Sequence, residues 1–181
     1  MKLVTRLGGQ PWRVVLALMV GLAPPVLAAD YQFYQLARKT LTGFTALEVV
    51  VEEMNPDPEL QGLTQSTLRT DVELKLRQAG IRVLTQTEAL GALVKSDVPG
   101  LHLAVGTRPL EKGNYAFGIQ LELLQTVLLE RDRNIISVAP TWEAPIMFGT
   151  IGAKNLPKLR EYVRDMVDQF INAYLAANPK R

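Results

Sequence analysis

His102 is the only histidine among 181 residues, and it sits in "GLHLAV" with apolar neighbours on both sides. General acid–base work by an imidazole needs a carboxylate to orient the ring and a nucleophile within hydrogen-bond reach. Ser96 and Asp97 are near in sequence, yet no nucleophile motif surrounds either. A second group of candidates is Glu48, Glu52, Glu53 and Asp57. Their spacing fits no calcium loop, which needs several oxygen ligands converging from alternate positions. Glu52 and Glu53 are adjacent on a predicted strand, so they point to opposite faces and cannot flank one substrate as a glycosidase pair would.

Arg160 and Arg164 lie one helical turn apart in "KLREYVRD", with Glu161 and Asp165 on the neighbouring stripe. Two guanidinium groups at that spacing could clamp a phosphate or a carboxylate; the simpler reading is a solvated helix face. "GTIGAKN" has two glycines but lacks the lysine–serine end of a phosphate loop. The chain has no cysteine, which removes thiol catalysis, cysteine-bound zinc, iron–sulfur centres and a lipidated amino-terminal cysteine. With one histidine, a multi-histidine metal site within one chain is also excluded. We assign no catalytic residue, no metal and no cofactor from the sequence. The enzymatic alternative is a small periplasmic hydrolase using carboxylates, with His102 as its base.

The least ordinary segment is "APTWEAPIMFGTIGAKN", residues 139–155. It carries Trp142, Met147 and Phe148 between turn-forming residues. An apolar loop must either fold over the core or meet a partner, and tryptophan also suits a membrane interface. Trp142, Met147 and Phe148, with Tyr115 on the preceding strand, are the candidate partner-binding residues.

The elements that must position these residues follow from periodicity. Leu47, Val49 and Val51 alternate with Glu48, Val50 and Glu52, as in a strand with one buried face. "NPDPEL" ends it. In "GLTQSTLRTDVELKLRQAG", Thr64 is a helix N-cap, Leu68, Val72, Leu76 and Ala79 share one face, and Gly80 marks the stop. "IRVL" is a short strand, residues 85–100 a weak helical turn and a loop, and "LHLAVGT" the next strand. "YAFGIQLELLQTVLLE" then alternates over 16 residues, with Tyr115, Phe117, Ile119, Leu121, Leu123, Val127 and Leu129 on one face. At ~3.3 Å per residue it would extend about 50 Å, so a bend or bulge is expected within it. Leu124 and Leu128 break the polar pattern of its other face, which predicts that this face is partly covered. "RDRN" turns the chain into an antiparallel return, "IISVAPTW".

The last element is a helix with Asn155 as its expected cap, Pro157 in its first turn, and Asn178 and Pro179 ending it. Leu159, Val163, Met166, Val167, Phe170, Ile171 and Tyr174 form its apolar stripe. The expected fold is α+β, a mostly antiparallel sheet of four to five strands with two helices packed on one face.

The amino terminus reads as an address. Lys2, Arg6 and Arg13 precede an apolar run from Val14 to Leu22, and Pro24 and Pro25 break it before Ala28 and Ala29. This is the layout of a secretory signal peptide cleaved near Ala28 or Ala29. The run is short for a membrane span, although an uncut signal would serve as an anchor. Residues 1–29 are thus expected to be the signal and 30–181 a single α+β domain, periplasmic or secreted, with no transmembrane span after cleavage. The formal charge of +2 comes from 20 basic and 18 acidic residues. Three of the basic residues and no acid lie in the signal, which leaves −1 for the mature chain. Nucleic-acid binding calls for a clustered basic surface, so no nucleic-acid partner is expected.

The combination "VVVEE", "GLT", "LRQAGIRVL", "LELLQTVLL", "TW" and "VDQFINAYLAANP" resembles a family of small exported bacterial proteins of unknown function. More distantly, the element order is similar to periplasmic envelope-assembly accessory modules, including lipopolysaccharide-assembly lipoproteins and the amino-terminal domain of the Tol translocation protein. The resemblance implies a non-enzymatic binding or envelope-assembly accessory with an envelope protein as partner. The chain departs from the lipoproteins in lacking the lipidated cysteine.

Overall fold

Alternation of branched apolar and polar residues gives β1 (Ala46–Val51), whose odd-numbered side chains are buried and even-numbered ones half-buried. The chain then crosses back through helix α1 (Gln65–Gln78) to β2 (Arg82–Val83), which lies parallel to β1. A parallel connection needs such a crossover, because a tight turn can join only antiparallel strands. Thr64 caps α1 by accepting a hydrogen bond from the Thr67 amide at 3.2 Å. At the other end Gly80 adopts φ +82°, Gly80 donates to Arg77 and Ile81 donates back to Leu76. That pattern closes the orphan carbonyls, and buried Ile81 and Leu76 pack across the stop.

The computed structural model describes residues 36–54, 62–85, 87–89 and 98–179, and all but Leu36 belong to one compact unit, Ala37–Arg181. The signal segment, "NPDPEL" and the loop holding Ser96 and Asp97 fall outside the described residues.

β3 (Gly100–Pro109) adds to the other side of β1 in parallel, and β4 (Asn114–Leu129), β5 (Asp132–Glu143) and β6 (Met147–Gly152) complete the sheet. The order is β2-β1-β3-β4-β5, with β6 also on β4, six strands among the described residues. The pairs of β4 with β3, β5 and β6 are all antiparallel. The fold is therefore α+β with a mixed, mostly antiparallel sheet. Its inner face, with Leu101, Leu103, Leu121 and Leu123, packs against the stripes of α1 and of α2 (Lys158–Ala177).

Three local expectations change. Residues 139–155 are strand rather than loop: β5 runs on to Glu143, and β6 resumes along the same edge of β4. Glu122 faces Glu143 and Ile119 faces Met147, so Ala144, Pro145 and Ile146 bulge opposite only two β4 residues. Pro145 cannot donate to a ladder, which explains the break. Asn155 lies in a single 3-10 turn and does not cap α2; the cap position is Pro157, without a side-chain hydrogen bond. Of the two apolar exceptions on the outer face, Leu124 is half-buried and Leu128 is exposed rather than covered, because both helices pack on the inner face. The irregularity expected in β4 occurs at Leu123/Leu124 and again at Leu128/Leu129.

Candidate functional site

His102 projects from β3 onto the outer sheet face, flanked by Val50 of β1 and Glu122 of β4. Its Nδ1 lies 3.6 Å from Glu52 Oε1, close enough for an ion pair when protonated but too long for a hydrogen bond. Gln120 donates to Glu122 at 2.9 Å. Among the described residues no hydroxyl is hydrogen-bonded to the imidazole, so the arrangement has a carboxylate near the ring and no nucleophile on it. Glu53, next to Glu52, is exposed. Among the described residues no group of three or more histidine, aspartate or glutamate side chains could hold a metal ion.

The arginine pair of α2 is a clamp, and the carboxylate it holds is the chain's own. Arg160 donates to both oxygens of Asp71 on α1, through Nε to Oδ2 and through Nη2 to Oδ1 at 2.7 Å. Arg164 adds a bond to Asp71 Oδ2 at 3.3 Å. The Arg160 hydrogen bond, reinforced by both positive charges, holds the Asp71 carboxyl below the usual carboxylate range against the opposing effect of burial. The same bond raises Arg160. The stripe around Leu68, Val72 and Leu76 gave no warning of a buried charge between them; two arginines a turn apart on the facing helix were the available signal.

The four candidate contact residues separate by burial. Trp142 pairs with Leu123 on the inner face, is 8% exposed and meets Phe170 edge-on at 5.2 Å. Tyr115 is buried, and Met147 is half-buried against the core. Phe148 is 79% exposed. It opposes Gly118, which in turn opposes Gly106. No heavy atom stands within 4 Å of where a Cβ would sit on either glycine. Phe148 thus borders a shallow trough on the outer face, with exposed Ile146 beside it.

A second apolar surface, of which the sequence marked only Leu128, lies on the β4–β5 ribbon. Val138 pairs with Thr126 and Ile136 with Leu128, so these side chains share the outer face. Leu128, Ile136 and Val138 are 58%, 65% and 64% exposed. Beneath the ribbon, an open cleft of about 540 Å³ is lined by residues including Thr40, Phe44 and Gln125. Its polar floor is largely satisfied internally: Gln125 donates to the Thr40 carbonyl at 3.2 Å and contacts Thr141 Oγ1 at 3.0 Å.

The chain matches no family model and no curated protein. Among solved structures it is similar to the hypothetical protein CT253 from Chlamydia trachomatis, with 8% identity over 74% of this chain and 99% of that chain, at a TM-score of 0.45. The PelC dodecamer from Paraburkholderia phytofirmans shows 16% identity over 73% and 87% of the two chains, at a TM-score of 0.41. A minor lipoprotein from Acinetobacter baumannii shows 11% identity over 74% and 92%, at 0.35. Similarity at this level carries no functional argument. Among the described residues no helix is long and apolar enough to cross a membrane.

Proposed function

We propose that the protein is an exported, non-enzymatic binding module of the cell envelope, which presents Phe148 and its neighbours to a protein partner. The observation that carries this reading is the 79% exposure of Phe148, a large ring held on a strand beside two glycines. Isolated surface apolar residues are common. Here the rigid backbone, the adjacent exposed Ile146 and the open trough at Gly106 and Gly118 supply a pre-formed seat for an apolar side chain of a partner. Met147, next to Phe148 on β6, turns to the inner face and packs against the core. The signal-like amino terminus and the resemblance to small exported proteins support an envelope address.

A photoreactive residue at position 148, introduced in the native envelope, tests the reading. A specific protein adduct at 148, absent when the residue is placed at exposed Lys112, is the expected result. Adducts at 148 that match those at 112 would remove the contact role. Amino-terminal sequencing of the mature protein tests signal cleavage, and a chain still starting at Met1 would replace the cleaved form with one anchored by its signal.

A further inference from the structure

The helices α1 and α2 pack on the inner face of the sheet, and the strand registers order the outer face into rows. Val50, His102, Glu122 and Glu143 form one row across β1, β3, β4 and β5. The row on one side holds Glu48, Gly100, Leu124 and Pro140. On the other side Glu52 continues from β1, donating its N–H to the Leu103 carbonyl at 2.9 Å, beside Ala104 and Gln120. Four carboxylates thus share three rows whose registered positions hold no lysine or arginine. Among the described residues Glu48, Glu122 and Glu143 form no ion pair, and Glu52 meets only His102. Glu122 and Glu143 are direct cross-strand partners, a placement in which like charges repel.

Two rows further along β4, Gly118 lies between Gly106 and Phe148. We infer, resting on the reading of Phe148 as a contact, that the partner is an extended, cationic protein segment. It seats an apolar side chain at Gly106 and Gly118 and, four positions on, places a lysine or arginine between Glu122 and Glu143. At ~3.3 Å per residue four strand positions span about 13 Å, and an even spacing keeps both side chains toward the sheet. Exposed Ile146, in the bulge between Glu143 and Phe148, adds apolar surface between the two seats. A cation at the glutamate pair removes a repulsion that the free protein bears, whereas an anionic segment would add to it.

The test uses the purified exported chain and a fluorescein-labelled peptide of glycine and threonine, with one leucine and lysines four and six positions beyond it. Fluorescence anisotropy should show binding that weakens about tenfold in Glu122→Gln/Glu143→Gln and falls with added salt. Phe148→Ala, or glycine in place of the peptide's leucine, should weaken it as well. A peptide with glutamate in place of lysine should not bind, and Glu122→Lys/Glu143→Lys should reverse that preference. No binding of the lysine peptide, equal binding of both peptides, or an unchanged affinity in the glutamine variant overturns the inference. The contact reading is decided separately, by the adduct at position 148. An adduct that forms as well in the glutamine variant would keep that reading and remove the cationic partner.

Discussion

Asp71 of α1 and Arg160 of α2 meet through two hydrogen bonds, one to each carboxylate oxygen, and this pairing fixes how the two helices lie on the sheet. A bidentate guanidinium–carboxylate contact has a defined plane and direction, which apolar packing lacks. Lys75 and Asp168 add a second tie between the same helices at 2.6 Å. The pair of arginines that might have gripped a ligand is used for structure, and it leaves catalysis without an anion clamp on that face.

This pairing predicts an acid-sensitive stability. The Asp71 carboxyl is lowered in the folded state, so its contribution is present above the ordinary carboxylate pKa of about 4. That contribution is lost as pH falls through the lower folded-state value. Asp71→Asn should lower the urea midpoint at pH 7 and flatten the dependence of that midpoint on pH below about 4. Parallel wild-type and variant profiles in the acid range would contradict it.

Trp142 and Phe148 should respond to truncation in opposite ways. Trp142→Ala removes the edge-on contact with Phe170 and opens a cavity, at a cost of about 3–5 kcal/mol. Phe148→Ala removes an exposed ring and should change stability by less than about 0.5 kcal/mol while abolishing partner capture. Urea unfolding of both variants, with pull-down from envelope extracts, separates the two roles. Equal losses of stability would place Phe148 in the core.

Gly80 provides a backbone test. Its φ of +82° lies in the left-handed region, and no heavy atom stands within 4 Å of where a Cβ would sit. Gly80→Ala therefore introduces strain without a clash, and should cost about 1–2 kcal/mol. A neutral result would mean that α1 can end by another route.

The hydrolase alternative rests on His102 and Glu52, 3.6 Å apart on the outer face. Any hydrolytic turnover found in a substrate screen should survive His102→Ala, since among the described residues no nucleophile accompanies the ring. A large fall in kcat with KM unchanged would restore the enzymatic reading.

Most of the fold was legible because period alone distinguishes a strand from a helix. The alternation through Leu47, Val49 and Val51, the stripe from Leu159 to Ile171, Thr64 as a cap and Gly80 as a stop all follow from local chemistry. Residues 139–155 misled for a physical reason. Pro140 and Pro145 are turn formers in isolation, but an edge strand accepts one whose nitrogen faces outward and breaks at the other. Composition likewise marked Trp142 and Phe148 as one unusual cluster, although a strand sends side chains to both faces and a bulge resets which is which.

The sequence by itself determined the chemistry that an absence of cysteine excludes, the order of the elements other than β6 and the face each of them buries, since these depend on residue type and spacing. Only the tertiary structure decided that Arg160 and Arg164 are occupied by Asp71, that Trp142 is core while Phe148 is surface, and that Met147–Gly152 returns as a strand on β4. Those outcomes depend on pairings between residues up to 93 positions apart, as from Asp71 to Arg164. No local period encodes which distant partner a charge or a strand edge will meet.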